Sequence, residues 1–221
     1  MATALTPTSY AILGLLALKP WSTYELAQQM ERALGQFWPR AESRLYEEPK
    51  KLVAHGLARA SSEMVGQRPR TVYTITAKGR RALDSWVPTP GEGAVLECEE
   101  LIKVFFAEHG TKADLLATVA RIRDRSERQL GTQARFPRAY LDGQGPFPER
   151  LAWVILVTKF LVEFHLMVER WADWATDVVD KWPDDLAAAP PDWETLEEHA
   201  AITSARDAHD VLRPEPGQPT G

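Results

Sequence analysis

Two clusters of cationic and hydrogen-bonding side chains in this chain have the types and spacing for recognising a polyanion. The first is Arg40, Ser43, Arg44, Tyr46, Lys50 and Lys51, in a stretch of helical periodicity. Lysine and arginine there would hold phosphates, and side chains on a helix's early turns can reach base edges. The second is Gln67, Arg68 and Arg70, around the turn Gly66-Gln67-Arg68-Pro69. A basic hairpin tip can straddle a phosphate backbone or enter a minor groove. Each cluster has a plainer alternative, a solvated polar face. Tyr46 can hydrogen-bond a phosphate or pack as core.

The elements that would position these clusters follow from periodicity. A first helix covers about Thr8 to Leu18, with Ala11, Ile12, Leu15 and Leu16 on one face. Pro20 forces Lys19 out of helical geometry and stops it. Ser22 and Glu25 form a capping box that opens a second helix. That helix runs to Leu34, faces inward with Ala27, Met30 and Leu34, and ends at Gly35, a natural C′ residue. After the turn Phe37-Trp38-Pro39, a third helix runs from about Ala41 to His55. Leu45, Pro49, Leu52 and Val53 lie on one side of it, and Arg44, Glu47, Lys50 and Lys51 mostly on the other. Pro49 removes a backbone donor and crowds the Leu45 carbonyl, so a kink or a short first segment is expected. Leu57 to Val65 alternates, with Ala58, Ala60 and Met64 on one side. Arg70 to Ile75 is the returning strand. Thr76 caps a fourth helix carrying Leu83 and Trp86. Three helices, a two-stranded wing and a fourth helix make a winged helix-turn-helix, a fold that most often puts one helix in the DNA major groove.

Pro88-Thr89-Pro90-Gly91-Glu92-Gly93 is linker chemistry. It divides the chain into a winged helix-turn-helix over 1–88, an all-helical part over 89–212 and a disordered tail over 213–221. The expected class is mainly α. The helical part reads as helices over about Val95–Glu108, Thr111–Leu141, Pro148–Trp182 and Asp192–Leu212. Its longest helix carries two adjacent apolar stripes. One holds Leu151, Val154, Ile155, Leu161, Val162, Val168 and Trp171. The other holds Trp153, Val157, Phe160, Phe164 and Met167. A surface helix needs only one stripe, so a second chain is expected, with Leu151, Val154, Ile155, Leu161, Val162, Phe164, Val168 and Trp171 at the dimer contact. Trp153, Trp171 and Trp174 could instead line a pocket for a flat aromatic ligand, or be dimer core.

Net charge sharpens the division. Residues 1–88 hold 12 Lys/Arg against 7 Asp/Glu, and residues 89–221 hold 14 against 24. The basic half suits a polyanion and the acidic half stays off it. Cys98 is the one cysteine, so no internal disulfide can form, and a cytoplasmic location is expected. The apolar run from Leu151 to Leu161 is short for a bilayer and contains Lys159, so no membrane segment is expected. The five histidines make no metal-ligand spacing. Nothing resembles a phosphate loop, a nucleophile elbow or a carboxylate pair. Neither metal, cofactor nor enzymatic activity is expected.

Tyr10-Ala11-Ile12-Leu13-Gly14-Leu15-Leu16, Tyr24-Glu25-Leu26, Phe37-Trp38, Arg44-Leu45-Tyr46, Lys50-Lys51-Leu52, Gly56-Leu57 and Thr76-Ala77-Lys78-Gly79-Arg80 together resemble the PadR-like transcriptional regulators. The resemblance is close over about residues 8–87. Beyond Pro90 it rests on an all-helical second part, like the Vir/AphA-type dimerisation domain of longer members. It implies a winged-helix repressor, dimeric through its carboxy-terminal helices, on a roughly palindromic operator in double-stranded DNA. Some members are released by small aromatic compounds. The chain departs from the family pattern at Thr23, where glycine is common, and at Glu47-Glu48, which separate Tyr46 from Pro49. Two carboxylates would repel a phosphate backbone, which leaves open a protein-interaction module of winged-helix shape.

Overall fold

The computed structural model describes residues 5–39, 42–65 and 68–211, and the side chains of these except at 42–44, 65, 68, 135 and 205–211. The chain divides into two compact units, 1–95 and 96–221.

In the first unit, α1 (Pro7–Leu18) starts at a capping box between Thr6 and Ser9. Its buried face is Ser9, Ile12, Leu13 and Leu16, rotated from the expected one: Leu13 points inward, while Ala11 and Leu15 sit at the flanks. The expected Ser22–Glu25 capping box opens α2 (Thr23–Leu34), with Glu25 Oε2 accepting from the Ser22 N–H at 2.8 Å. Such a cap contributes on the order of 1 kcal/mol. Gly35 follows α2 in right-handed helical geometry, so it is not a left-handed cap. Next comes α3 (Glu42–Ala54), which continues through Pro49 as one helix. Pro49 is fully buried, and its ring packs in the core rather than breaking the helix. Gly56, at φ 70°, closes α3 with Leu57 N–H bonded to Leu52 O and Gly56 N–H to Val53 O, a Schellman ending.

The wing pairs β2 (Ala58–Val65) with β3 (Arg68–Ile75) antiparallel, from Ala58 opposite Ile75 to Val65 opposite Arg68. A strand not expected, β1 (Trp21–Ser22), pairs with the other edge of β3, giving the order β1-β3-β2. Among the β2 residues expected to face inward only Ala58 is buried, whereas Ala60 and Met64 are exposed because the hairpin extends past the helices. Thr76 caps α4 (Ala77–Trp86) through the Gly79 N–H. Gly79 is a close-approach position: a Cβ there would lie 2.1 Å from the Leu57 carbonyl oxygen and 2.9 Å from Ile75 Cγ1. Ile12, Leu13, Leu16, Leu26, Met30 and Leu52 form the core beneath these elements.

Residues 91–98 have no regular secondary structure, and the first helix of the second unit is short, α5 (Glu99–Phe105). The Thr111–Asp114 capping box starts α6 (Lys112–Gln133). The helix expected through Leu141 breaks there, and α7 (Arg135–Leu141) follows. Pro137 explains the break, since it cannot donate to the Gln133 carbonyl. The long helix is α8 (Leu151–Asp180), ahead of α9 (Trp193–Val211). Helices α6 and α8 pack antiparallel, tied by Arg123–Asp173 at 2.8 Å and by Lys112 Nζ donating to the Asp180 and Trp182 carbonyls. Their core is Leu115, Val119, Ala172, Ala175, Val179 and Leu186.

By length and composition alone α8 would suit a bilayer span, its apolar 18-residue stretch having a mean hydropathy of 1.9. The apolar stretch is thus longer than the Leu151–Leu161 run marked in the sequence. From Leu151 to Phe160 no residue of α8 is buried, and Leu161 is the first that is.

Candidate nucleic-acid interface

In a winged helix-turn-helix the second helix of the pair, here α3, and the wing are the parts placed to meet a duplex. Of the residues expected on α3, Arg40 lies outside the described residues. Ser43 and Arg44 fall in the first turn of the helix, with only their backbone described. Tyr46 is half-buried and lines an open groove between α2 and α3 together with Tyr24, Gln28, Arg32 and Leu45.

Lys50 and Lys51 are both exposed, and each is paired with a carboxylate three residues earlier on its own helix. Lys50 meets Glu47 at 2.8 Å, both largely in solvent. That hydrogen bond holds the Glu47 carboxyl below its ordinary pKa and the Lys50 ammonium above its own. Exposed pairs of this kind are weak, so Lys50 can exchange Glu47 for a phosphate. Lys51 also sits 2.8 Å from its partner, but that partner is Glu48, whose side chain is 7% exposed. The expectation that Glu47 and Glu48 both confront a phosphate backbone is therefore corrected. Glu48 faces the core, where the Ser9 hydroxyl donates to Oε2 at 2.7 Å. Only Glu47 is presented to solvent, and Lys50 neutralises it.

On the wing, Gln67 lies outside the described residues, and Arg68 is described by its backbone, at the start of β3. Arg70 is exposed and bridges two carboxylates, Glu63 across the hairpin at 3.1 Å and Glu25 at the start of α2 at 3.7 Å. The Ser22 hydrogen bonds, and less strongly the Arg70 charge, hold the Glu25 carboxyl below its ordinary pKa. Arg70, two pairs from the tip of the hairpin, thus ties the wing to the cap of α2.

Tyr24 and Gln28 were not among the expected residues. Tyr24 is 63% exposed, and Gln28 Nε2 donates to its hydroxyl at 2.7 Å on the open side of α2, beside Tyr46. An aromatic at the first turn of an otherwise polar helix face was the available signal.

In the second unit the expected dimer residues divide. Leu161 is buried within its own unit. Leu151, Val154, Val162, Phe164, Val168 and Trp171 are half-buried, and Ile155 is exposed. On α8 the second stripe is largely open, with Trp153 60%, Phe160 64% and Met167 45% exposed, and Leu156, on neither stripe, is 71% exposed. Trp171 packs against the Leu115–Val179 core, and Trp174 is exposed three residues on. Trp153 precedes Trp171 by 18 positions, about 27 Å along a helix. One pocket within one chain therefore cannot include both, which corrects the expected Trp153, Trp171 and Trp174 cluster.

Two family models match the chain. The transcriptional regulator PadR-like family matches residues 12–85, and the virulence activator alpha C-terminal family matches 99–180. A Mycobacterium tuberculosis protein named as a transcriptional regulator, Rv1176c, is 30% identical over 134 residues, 56% of this chain and 71% of that one. The negative transcriptional regulator PadR of Bacillus subtilis is 32% identical over 102 residues, 44% of this chain. The chain spans about half of that relative's length, 54%. The fold agrees with the Bacillus subtilis PadR structure in complex with operator DNA, at TM-score 0.68 and 21% identity, covering 79% of this chain and 99% of that one. The same protein has also been solved with p-coumaric acid, at TM-score 0.61 and 22% identity, covering 78% and 98%. The Vibrio cholerae virulence activator AphA has the fold too, at TM-score 0.59 and 20% identity, covering 78% and 97%.

Proposed function

We propose that this chain, which belongs to the PadR-like family of transcriptional regulators, acts as a homodimeric repressor on a roughly palindromic operator in double-stranded DNA. The observation that carries the reading is the winged helix-turn-helix itself, with an exposed α3 face and a cationic wing, on a fold that in Bacillus subtilis PadR has been crystallised on operator DNA. Arg40, Ser43, Arg44, Tyr46 and Lys50 would meet the duplex from α3 and the turn before it, and Gln67, Arg68 and Arg70 from the wing. Tyr24 and Gln28 extend that surface along the open side of α2. The inward turn of Glu48 removes one of the two carboxylates that favoured a protein-interaction module.

Dimerisation is assigned to α8. Its apolar residues Trp153, Val157, Phe160, Phe164, Met167, Trp171 and Trp174, exposed or half-buried, recur at alternating spacings of four and three, the period of a helix–helix seam. Lys159, Glu163, Arg170 and Asp173 interrupt the helix surface, which fits a seam in water better than a bilayer span. A small aromatic effector is carried over from the Bacillus subtilis protein solved with p-coumaric acid.

A gel-shift with the DNA upstream of the chain's own gene, at two salt concentrations, tests the DNA reading. A shift that weakens steeply with salt is expected. Absence of any shift at low salt would sink it.

A further inference from the structure

Glu48 lies on α3 but belongs to a hydrogen-bonded line that begins on α1. The Thr6 N–H donates to Ser9 Oγ at 3.1 Å, Ser9 Oγ donates to Glu48 Oε2 at 2.7 Å, and Lys51 Nζ donates to Glu48 Oε1 at 2.8 Å. Ser9 is 2% exposed and Glu48 5%. The single Ser9 hydroxyl proton is committed to Glu48, so the donors from α1 and from Lys51 converge on its carboxylate. A carboxylate withdrawn from water in this way depends on its partners, because leaving it unpaired is strongly unfavourable.

Helix α3 also presses Leu45, Pro49 and Leu52 into the core. Those contacts are non-directional and set how deeply the helix sits. They constrain its roll about its own axis much less, and adjacent side chains differ by about 100° around a helix. A short hydrogen bond from a fixed donor on α1 specifies that roll.

We infer that Glu48 is a positioning residue for DNA recognition: through Ser9 it fixes the roll of α3, and so decides that Tyr46, Glu47 and Lys50 are the side chains turned outward. Lys51 serves as the counter-ion of Glu48, in place of its expected phosphate contact. The inference rests on the DNA-binding reading above.

Simple electrostatics makes the opposite demand. If Glu48 mattered only as a charge, removing it would free Lys51, tighten binding to every duplex and steepen the salt dependence by about one phosphate contact. A positioning role instead weakens binding to the preferred sequence while leaving non-specific binding unchanged or tighter.

The test uses two duplexes of equal length, the one the wild-type chain enriches from a random-sequence pool and a scrambled version. Anisotropy titrations compare wild type with E48A, E48Q, S9A and S9A/E48A, each confirmed folded by circular dichroism. E48A is expected to lose about tenfold or more on the enriched duplex only. S9A should lose in the same direction, and the double variant no more than E48A, since both act through one contact. E48Q retains an oxygen for Ser9 and should recover part of the loss; with S9A it carries the test if E48A does not fold. Equal tightening on both duplexes, or additive losses in the double variant, overturns the role of Glu48. A pool from which wild type enriches nothing defeats the sequence-specific DNA reading itself, and the role of Glu48 with it.

Discussion

Tyr10 and Trp86 stack face to face, their ring centroids 4.7 Å apart and their planes 4° from parallel. The contact joins the first turn of α1 to the last turn of α4, so the two ends of the first unit hold each other. An aromatic pair contributes about 0.5–1.5 kcal/mol beyond the area it buries. Trp86 is partly exposed, so Trp86→Ala should destabilise the unit by about 1–3 kcal/mol, less than loss of a fully buried tryptophan. Trp86→Phe should retain part of the contact. Urea unfolding followed by circular dichroism measures both, and equal midpoints for the two variants would contradict a specific stacking contribution.

Arg70 sits between Glu63 and Glu25 with more than a third of its side chain exposed. Its ion pairs should therefore contribute under about 1 kcal/mol to stability. Its larger effect is expected on DNA. Arg70→Ala should weaken binding across sequences and lower the log–log salt slope by about one. Glu63→Gln, which releases Arg70 from the hairpin, should strengthen binding to any duplex. An unchanged slope in the arginine variant would place Arg70 in wing structure alone.

The exposed stripe of α8 makes a separate prediction. A glutamate in place of Phe160 puts a charge at the centre of the assigned seam. Phe160→Glu should give a monomer in sedimentation velocity at micromolar concentration, with helix content unchanged. Dimers of undiminished affinity would move the seam elsewhere.

His165 packs against Ser126, whose hydroxyl donates to the His165 carbonyl at 3.0 Å and lies 2.9 Å from Nδ1. With its proton on the carbonyl, that hydroxyl can only accept from Nδ1–H, a tautomer assigned from the network. Burial lowers the His165 pKa below its ordinary 6.5, against the opposing pull of the Glu169 carboxylate. The folded chain thus resists a proton that the unfolded chain accepts. Stability of the second unit should be intact above about pH 6.5 and fall as the pH drops below it. His165→Asn should remove that part of the acid sensitivity. Parallel pH profiles of unfolding midpoint for the two proteins would refute the assignment.

Local signals in the sequence marked most of these elements. The Ser22–Glu25 box and the Thr76 cap mark the helix starts they were read to mark, because capping depends on residues within one turn. The strand β1 was not legible, since two residues carry no periodicity and the partner of Trp21, Tyr73, is 52 positions away. The break after Gln133 was legible in Pro137 and was missed under a long helical pattern. Glu48 is the instructive case. It stands three residues after Leu45 and four before Leu52, on the stripe that faces the core, but its charge argued for solvent. The partner that resolves the conflict, Ser9, is 39 residues away. Spacing was the better guide than residue type at this position.

Gly79 turns this geometry into a rule for inheritance. With the Leu57 carbonyl 2.1 Å from where any Cβ would stand, even alanine would push α4 off the strand-leading turn. A library randomised at codon 79 and selected for folded chain should return glycine alone, while Gly14 and Gly131, with open space around them, should drift freely.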